Sequence, residues 1–146
     1  MEGFAYNLIN NPDPQLEAKV DEWTRIIAAA QQPDGYINTY FTLTGLDRRW
    51  TNMDLHEMYC TGHLLEAGVA YYKATGKRAL LDVGQRMVEH MMTIFGPGKR
   101  HWVAGHEEIE LALVKLYEVT GDERYLDFAY WLLEQRGHGY GSHGTS

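Results

Sequence analysis

The stretch LHEMYCTGHLLEAGVAYYKATGK, from Leu55 to Lys77, opens with two histidines, a glutamate, a tyrosine and the only cysteine of the chain. Imidazole can ligate a metal, move a proton or hydrogen-bond a hydroxyl. His56, Tyr59 and His63 stand at i, i+3, i+7, so on a helix they share one face, and Glu57 falls off it. His106 opens the later segment GHEE, with Glu107 and Glu108 beside it. Four such positions could line a cleft that hydrogen-bonds a polyhydroxylated ligand. The plainer reading is that a polar first turn is ordinary helix chemistry, since acidic side chains there complement the helix dipole.

A metal centre built from this segment is poorly supported. Cys60 and His63 have ligand-like spacing, but zinc sites need more ligands than a lone cysteine and its histidine neighbours provide. Cys60 reads instead as a small packed residue. The sequence shows no glycine-rich phosphate loop and no nucleophile elbow. Nothing in it marks a carboxylate pair at glycosidase separation.

The elements that must position these residues are helices. Asp13 is a good cap and Pro14 suits a first helical position, so a helix is expected from there to about Gln31. Pro33-Asp34-Gly35 then marks a turn. Gly35 to Thr51 reads as a long, partly ordered loop, with a weakly β-like piece at Tyr36 to Phe41. Tyr36, Tyr40, Phe41 and Trp50 in that loop are candidates for stacking on a sugar. Further helices are expected over Met53–Ala74, Arg78–Phe95, His106–Val119 and from Asp122 to about Gln135, and Gly3 to Asn10 reads as the end of another.

The segments KATGKRALLDVGQRMVEH and EVTGDERYLDFAYWLLEQ align at an offset of 45 residues, with Thr75-Gly76 over Thr120-Gly121 and Leu81-Asp82 over Leu126-Asp127. Each unit is a helix, a short glycine break and a second helix. Such periods mean stacked helical hairpins, in a solenoid or a closed toroid. The connections between hairpins are longer than the turns within them, and in a stack all the long connections lie at one end. His56 and His106 both follow long connections, so they should share that end, where binding usually sits.

The chain has 146 residues, 45% of them apolar, which suffices for one domain with a core. A formal charge of -7 argues against a nucleic-acid partner, and no basic run suggests a membrane surface. No apolar run is long enough to span a bilayer. No signal-like segment follows Met1, so a cytoplasmic location is the default expectation.

Three segments in order, AAAQQPDGYINTYF, RWTNMDLHEMYCTGHLLEAGVAYYKATGKRALLDVG and GHEEIELALVKLYEVTGDERYLDFA, together resemble glycoside hydrolase family 127. The resemblance implies an all-α (α/α)6 barrel, or toroid, of which these stacked hairpins would form about half, in a partial catalytic domain over residues 1–140 with a flexible tail at 141–146. It implies retaining hydrolysis of terminal β-L-arabinofuranosides, with an arabinose-containing glycan as partner. His56 and His106 look like sugar-contacting histidines at the barrel mouth, supported by Glu57 and the Tyr40 loop. The family's cysteine nucleophile and its zinc lie downstream of the matched region, so no catalytic residue and no cofactor is assigned to this chain, and zinc is expected only in a longer parent. Open helical faces would permit self-association. The alternatives are a non-catalytic helical-repeat binding module and another carbohydrate enzyme built on an (α/α) toroid.

Overall fold

Asp13 caps as its position suggests: Oδ1 accepts hydrogen bonds from the amides of Gln15, at 2.9 Å, and Leu16, at 3.1 Å. The helix it starts is α2, Pro14–Ala29, preceded by α1, Glu2–Asn10. In the computed structural model, which describes residues 1–140, the chain continues through α3 (Thr39–Thr44), α4 (Glu57–Thr75), α5 (Ala79–Ile94), α6 (Glu108–Thr120) and α7 (Glu123–Glu134). The chain is all-α, and among the described residues there is no strand. None of these helices is long and apolar enough to cross a membrane. The expected tail at 141–146 lies outside the described residues.

The long connection after α2 differs from its reading as a β-tinged loop. Asn38 takes the capping role, its Oδ1 accepting from the amides of Tyr40 and Phe41, and this turns Thr39–Thr44 into helix rather than strand. Two short 3-10 turns follow, at Leu46–Arg48 and Met53–Leu55. The second turn occupies what the sequence suggested was the start of α4. His56 adopts a left-handed backbone, φ 60°, which ends that turn and delays α4 to Glu57.

The internal repeat is a repeated turn. Gly76 and Gly121 both sit at left-handed φ, 75° and 71°, and close α4 and α6 through bonds from their amides to the carbonyls of Tyr72 and Tyr117. Thr75 and Thr120 each donate a hydroxyl four residues back, to Tyr71 and Leu116, and accept the amide two residues on, from Lys77 and Asp122. Identical turn chemistry therefore produces the hairpins α4–α5 and α6–α7.

The hairpins stack with α4 at the centre, packed on α1, α5 and α6, while α7 covers α6 and α2 leans on α5. Helix α4 is apolar nearly all round, with Leu65, Ala67, Val69, Ala70 and Tyr71 buried. Its glycines set the spacing. A Cβ on Gly68 would lie 2.9 Å from the Cα of Leu81 in α5, and one on Gly84 would lie 3.2 Å from the Cα of Leu65. A Cβ on Gly62 would lie 2.7 Å from Cγ of Glu108 in α6.

This contact predicts opposite signs for two glycine substitutions. Gly68→Ala forces backbone against backbone and is expected to cost about 1–3 kcal/mol. Gly3→Ala, on the exposed side of α1 with open space around it, should be neutral or gain up to about 1 kcal/mol from helix propensity. Urea denaturation followed by tryptophan fluorescence reads both; equal effects would mean that the close approach of α4 and α5 does not constrain the fold.

Candidate functional site

Helices α4 and α6 pack side by side and begin at the same end of the stack, so their first turns meet. The imidazoles of His56 and His106 lie 5.3 Å apart, centroid to centroid, tilted by 32°. Tyr59 closes the group, its ring 5.8 Å from His56, 5.0 Å from His106 and 4.5 Å from His63. Four residues that the sequence placed on one face are therefore contiguous. His56, Glu57 and Tyr59 also line a small pocket, with Asn52, Met53, Trp102 and Gly105.

The tautomer of His56 follows from its contact. Its Nδ1 lies 2.5 Å from the carbonyl oxygen of Asp54. A carbonyl only accepts, so Nδ1 carries the proton. In the neutral ring Nε2 is then an acceptor, available to a hydroxyl donor. His56 has a left-handed backbone, a sparsely populated conformation that is common where a side chain has a task.

Glu57, expected to support the histidines, borders the pocket beside His56 and is itself held from the core side. It is 5% exposed and both carboxylate oxygens are used: Tyr36 Oη donates to Oε1 at 2.5 Å and the Trp50 amide donates to Oε2 at 2.7 Å. Burial pushes its carboxyl above the usual range, and the two hydrogen bonds only partly offset this. Glu57 ties the long connection to the first turn of α4. Tyr36, Phe41 and Trp50 are correspondingly buried in the core, not free to stack on a ligand. The Trp50 indole donates to His90 Nε2 at 3.3 Å, and burial lowers the His90 pKa, which keeps that nitrogen an acceptor. Of the loop aromatics proposed for stacking, Tyr40 is the exposed one; it projects from α3 against Phe41 and does not border the pocket that His56 lines.

Cys60 is exposed on α4 rather than packed. Desolvation and the nearby Glu57 push its thiol up, so it is not held as a thiolate.

A second cluster lies one turn deeper along α4, and only part of it was visible in the sequence. His63 Nδ1 is 3.1 Å from Glu108 Oε1 at the start of α6. Glu66 lies beside Glu108 and is paired with Lys115 of α6. Glu2 of α1, His63 and Glu66 bring ligand atoms within 4.8 Å of one another. Such a group could hold a cation, but the ammonium of Lys115 already supplies positive charge to Glu66. Two carboxyls in contact cannot both ionise freely, so the pair retains a proton. Burial, then the bond and charge of Glu66, push the Glu108 carboxyl up to about 7. Burial alone would raise Glu66 too, but its bonds from Glu108 and Lys115 outweigh that and hold it low.

Adjacent helix N-termini thus bring imidazoles, a tyrosine and buried carboxylates together on an α-helical hairpin scaffold, a wall of hydrogen-bonding groups. The matches to known proteins give this wall its family. A model of the β-L-arabinofuranosidase GH127 catalytic domain matches residues 1–145, and the chain belongs to that family. The non-reducing end β-L-arabinofuranosidase of Bifidobacterium longum subsp. longum is 44% identical to it, across 94% of this chain and 22% of that protein. The crystal structure of a GH127 β-L-arabinofuranosidase from Geobacillus stearothermophilus T6 superposes with a TM-score of 0.90 at 49% identity, covering 93% of this chain and 22% of that one. A further GH127 β-arabinofuranosidase structure gives a TM-score of 0.87 at 40% identity. The chain thus spans about a fifth of the length of these relatives. The matches do not favour the helical-repeat binding module.

The carboxyl pair yields a pH prediction. Glu108 has a folded pKa of about 7, above its ordinary 4.5, so its contribution to stability is complete below about 4.5 and is lost as pH rises through 7. Glu66, shifted the other way, acts only at lower pH. Between about pH 5 and 8, wild type should lose melting temperature relative to Glu108→Gln, whose amide can donate to Glu66 at any pH. Parallel melting curves over that range would rule out a retained proton.

Proposed function

We propose that this chain forms part of the catalytic domain of a retaining glycoside hydrolase that removes terminal β-L-arabinofuranosyl groups, and that it supplies one wall of the sugar-binding mouth. The observation that carries the proposal is the His56–His106 pair, held against Tyr59 where two adjacent helices begin; membership of the family gives the wall a sugar to bind. A furanose presents hydroxyls that both donate and accept. His56 Nε2 accepts one such hydroxyl, and His106 contacts a second. The Tyr59 ring supplies an apolar surface for the sugar's C–H face. Glu57 acts from behind, by holding Tyr36 and Trp50 so that the turn carrying His56 keeps its shape. Tyr40, out on α3, is an outlying contact for a longer arabinose-containing glycan.

Bond cleavage is assigned to residues outside this chain. A zinc-bound thiolate needs further metal ligands around it, and among the described residues the one group that could hold a metal, Glu2, His63 and Glu66, does not include Cys60. The zinc and the nucleophile are therefore proposed to come from the rest of the parent protein. The barrel would be completed there too, covering the apolar strip of Leu111, Val114, Leu126, Tyr130 and Leu133 that α6 and α7 leave open here.

Two outcomes test this reading. In the full-length enzyme, His56→Ala and His106→Ala should each lower kcat/KM on an aryl β-L-arabinofuranoside by about tenfold to a hundredfold, the loss expected for a hydrogen bond to substrate left unmade. Unchanged kcat/KM in both variants would remove the histidine pair from the sugar site. The isolated chain should release no arabinose from the same substrate, and light scattering should find it self-associated through its open helical faces; turnover above the blank would put the nucleophile within these 146 residues.

A further inference from the structure

His106 lies in the connection before α6, flanked by Gly105, so its own backbone does little to fix the imidazole. The rigidity comes from elsewhere. Arg136, just past the end of α7, reaches back across the hairpin. Its Nη1 donates to the carbonyl of Ala104 at 3.1 Å, and its Nη2 donates to the carbonyl of His106 at 3.2 Å. The guanidinium thus grips the backbone on both sides of Gly105. It is itself aimed by Glu110, whose side chain is 5% exposed and accepts from Nη2 at 2.8 Å. Glu107, exposed, adds an ion pair at 3.2 Å.

We infer that Arg136 is a positioning residue for the sugar site, setting the His106 imidazole against His56 through the two carbonyls it holds. This rests on the proposed role of His106. The planar fork matters more than the charge. Two carbonyls flanking one glycine match two parallel N–H donors, and an ammonium cannot present that geometry. Glu110 serves the same end one step further back, by orienting the fork.

The test is a double-mutant cycle in the full-length enzyme with an aryl β-L-arabinofuranoside. Arg136→Lys keeps the charge and most of the packing and removes the fork; it should lower kcat/KM by about tenfold, as a displaced binding group does. In the His106→Ala background the same substitution should have almost no further effect, because there is no imidazole left to place. Glu110→Gln, which keeps an acceptor for the arginine, should fall between wild type and Arg136→Lys. Thermal melts of each variant check folding. Multiplicative losses for Arg136→Lys and His106→Ala, or wild-type kcat/KM in a folded Arg136→Lys enzyme, would overturn the role of Arg136 alone. An inert His106→Ala would overturn the sugar-site reading, and the positioning role with it.

Discussion

The close approach of α4 to its neighbours is the constraint on which the rest of the chain depends. Three glycines make it possible: Gly62 against Glu108, Gly68 against Leu81 and Gly84 against Leu65. Helices that touch nearly backbone to backbone cannot slide by a fraction of a turn without clash, because packed interiors leave no slack. The register of α4 against α6 is therefore fixed. Fixing it decides that His56 and Tyr59 on one hairpin face His106 on the next. The proposed binding wall is a consequence of helix register before it is a consequence of any hydrogen bond.

Register alone would leave the two histidines on mobile connections. Each connection is held by a buried carboxylate acting through another group. Glu57 fastens the long loop to α4 by accepting from Tyr36 and from the Trp50 amide, and Arg100 caps the Trp50 carbonyl at 2.6 Å. Glu110 fastens the shorter connection through Arg136. Burying a carboxylate is costly unless its lone pairs are satisfied by well-placed donors. Stability alone would be served as well by apolar side chains at these positions. What the carboxylates add is direction: a hydrogen bond fixes where a loop lies, whereas apolar packing fixes mainly that it is covered.

The all-helical class, the hairpins and the end of the stack that carries the histidines were legible because they rest on local chemistry. Thr-Gly at 75–76 and 120–121 is a turn written twice, and Asp13-Pro14 is a cap followed by a first helical residue. The misreadings fell where tertiary contacts outweigh local pattern. Tyr36 to Phe41 looks β-like and carries aromatics that suit a sugar, yet Asn38 caps a helix there and the rings of Tyr36 and Phe41 enter the core. Cys60, read as a small packed residue, is exposed, while Glu57 is buried. No periodicity reports which carboxylate will find two donors from a loop folded back over it. Arg136 gave no signal beyond being a cation just after a helix, although its partners lie some thirty residues earlier.

Polarity is graded along the face that α4 shares with α6. At the rim are hydrogen-bonding rings: His56, His106 and Tyr59. One turn deeper the groups are acids and bases set against one another, His63 against Glu108 and Lys115 against Glu66. A sugar carries no charge and is recognised by donors and acceptors that it need not neutralise. Putting these rings at the rim lets such a ligand bind without disturbing the acid–base pairs below. The order of residues along one helix, set by a pitch of one turn, thus separates what would touch a sugar from what holds the neighbouring helices together.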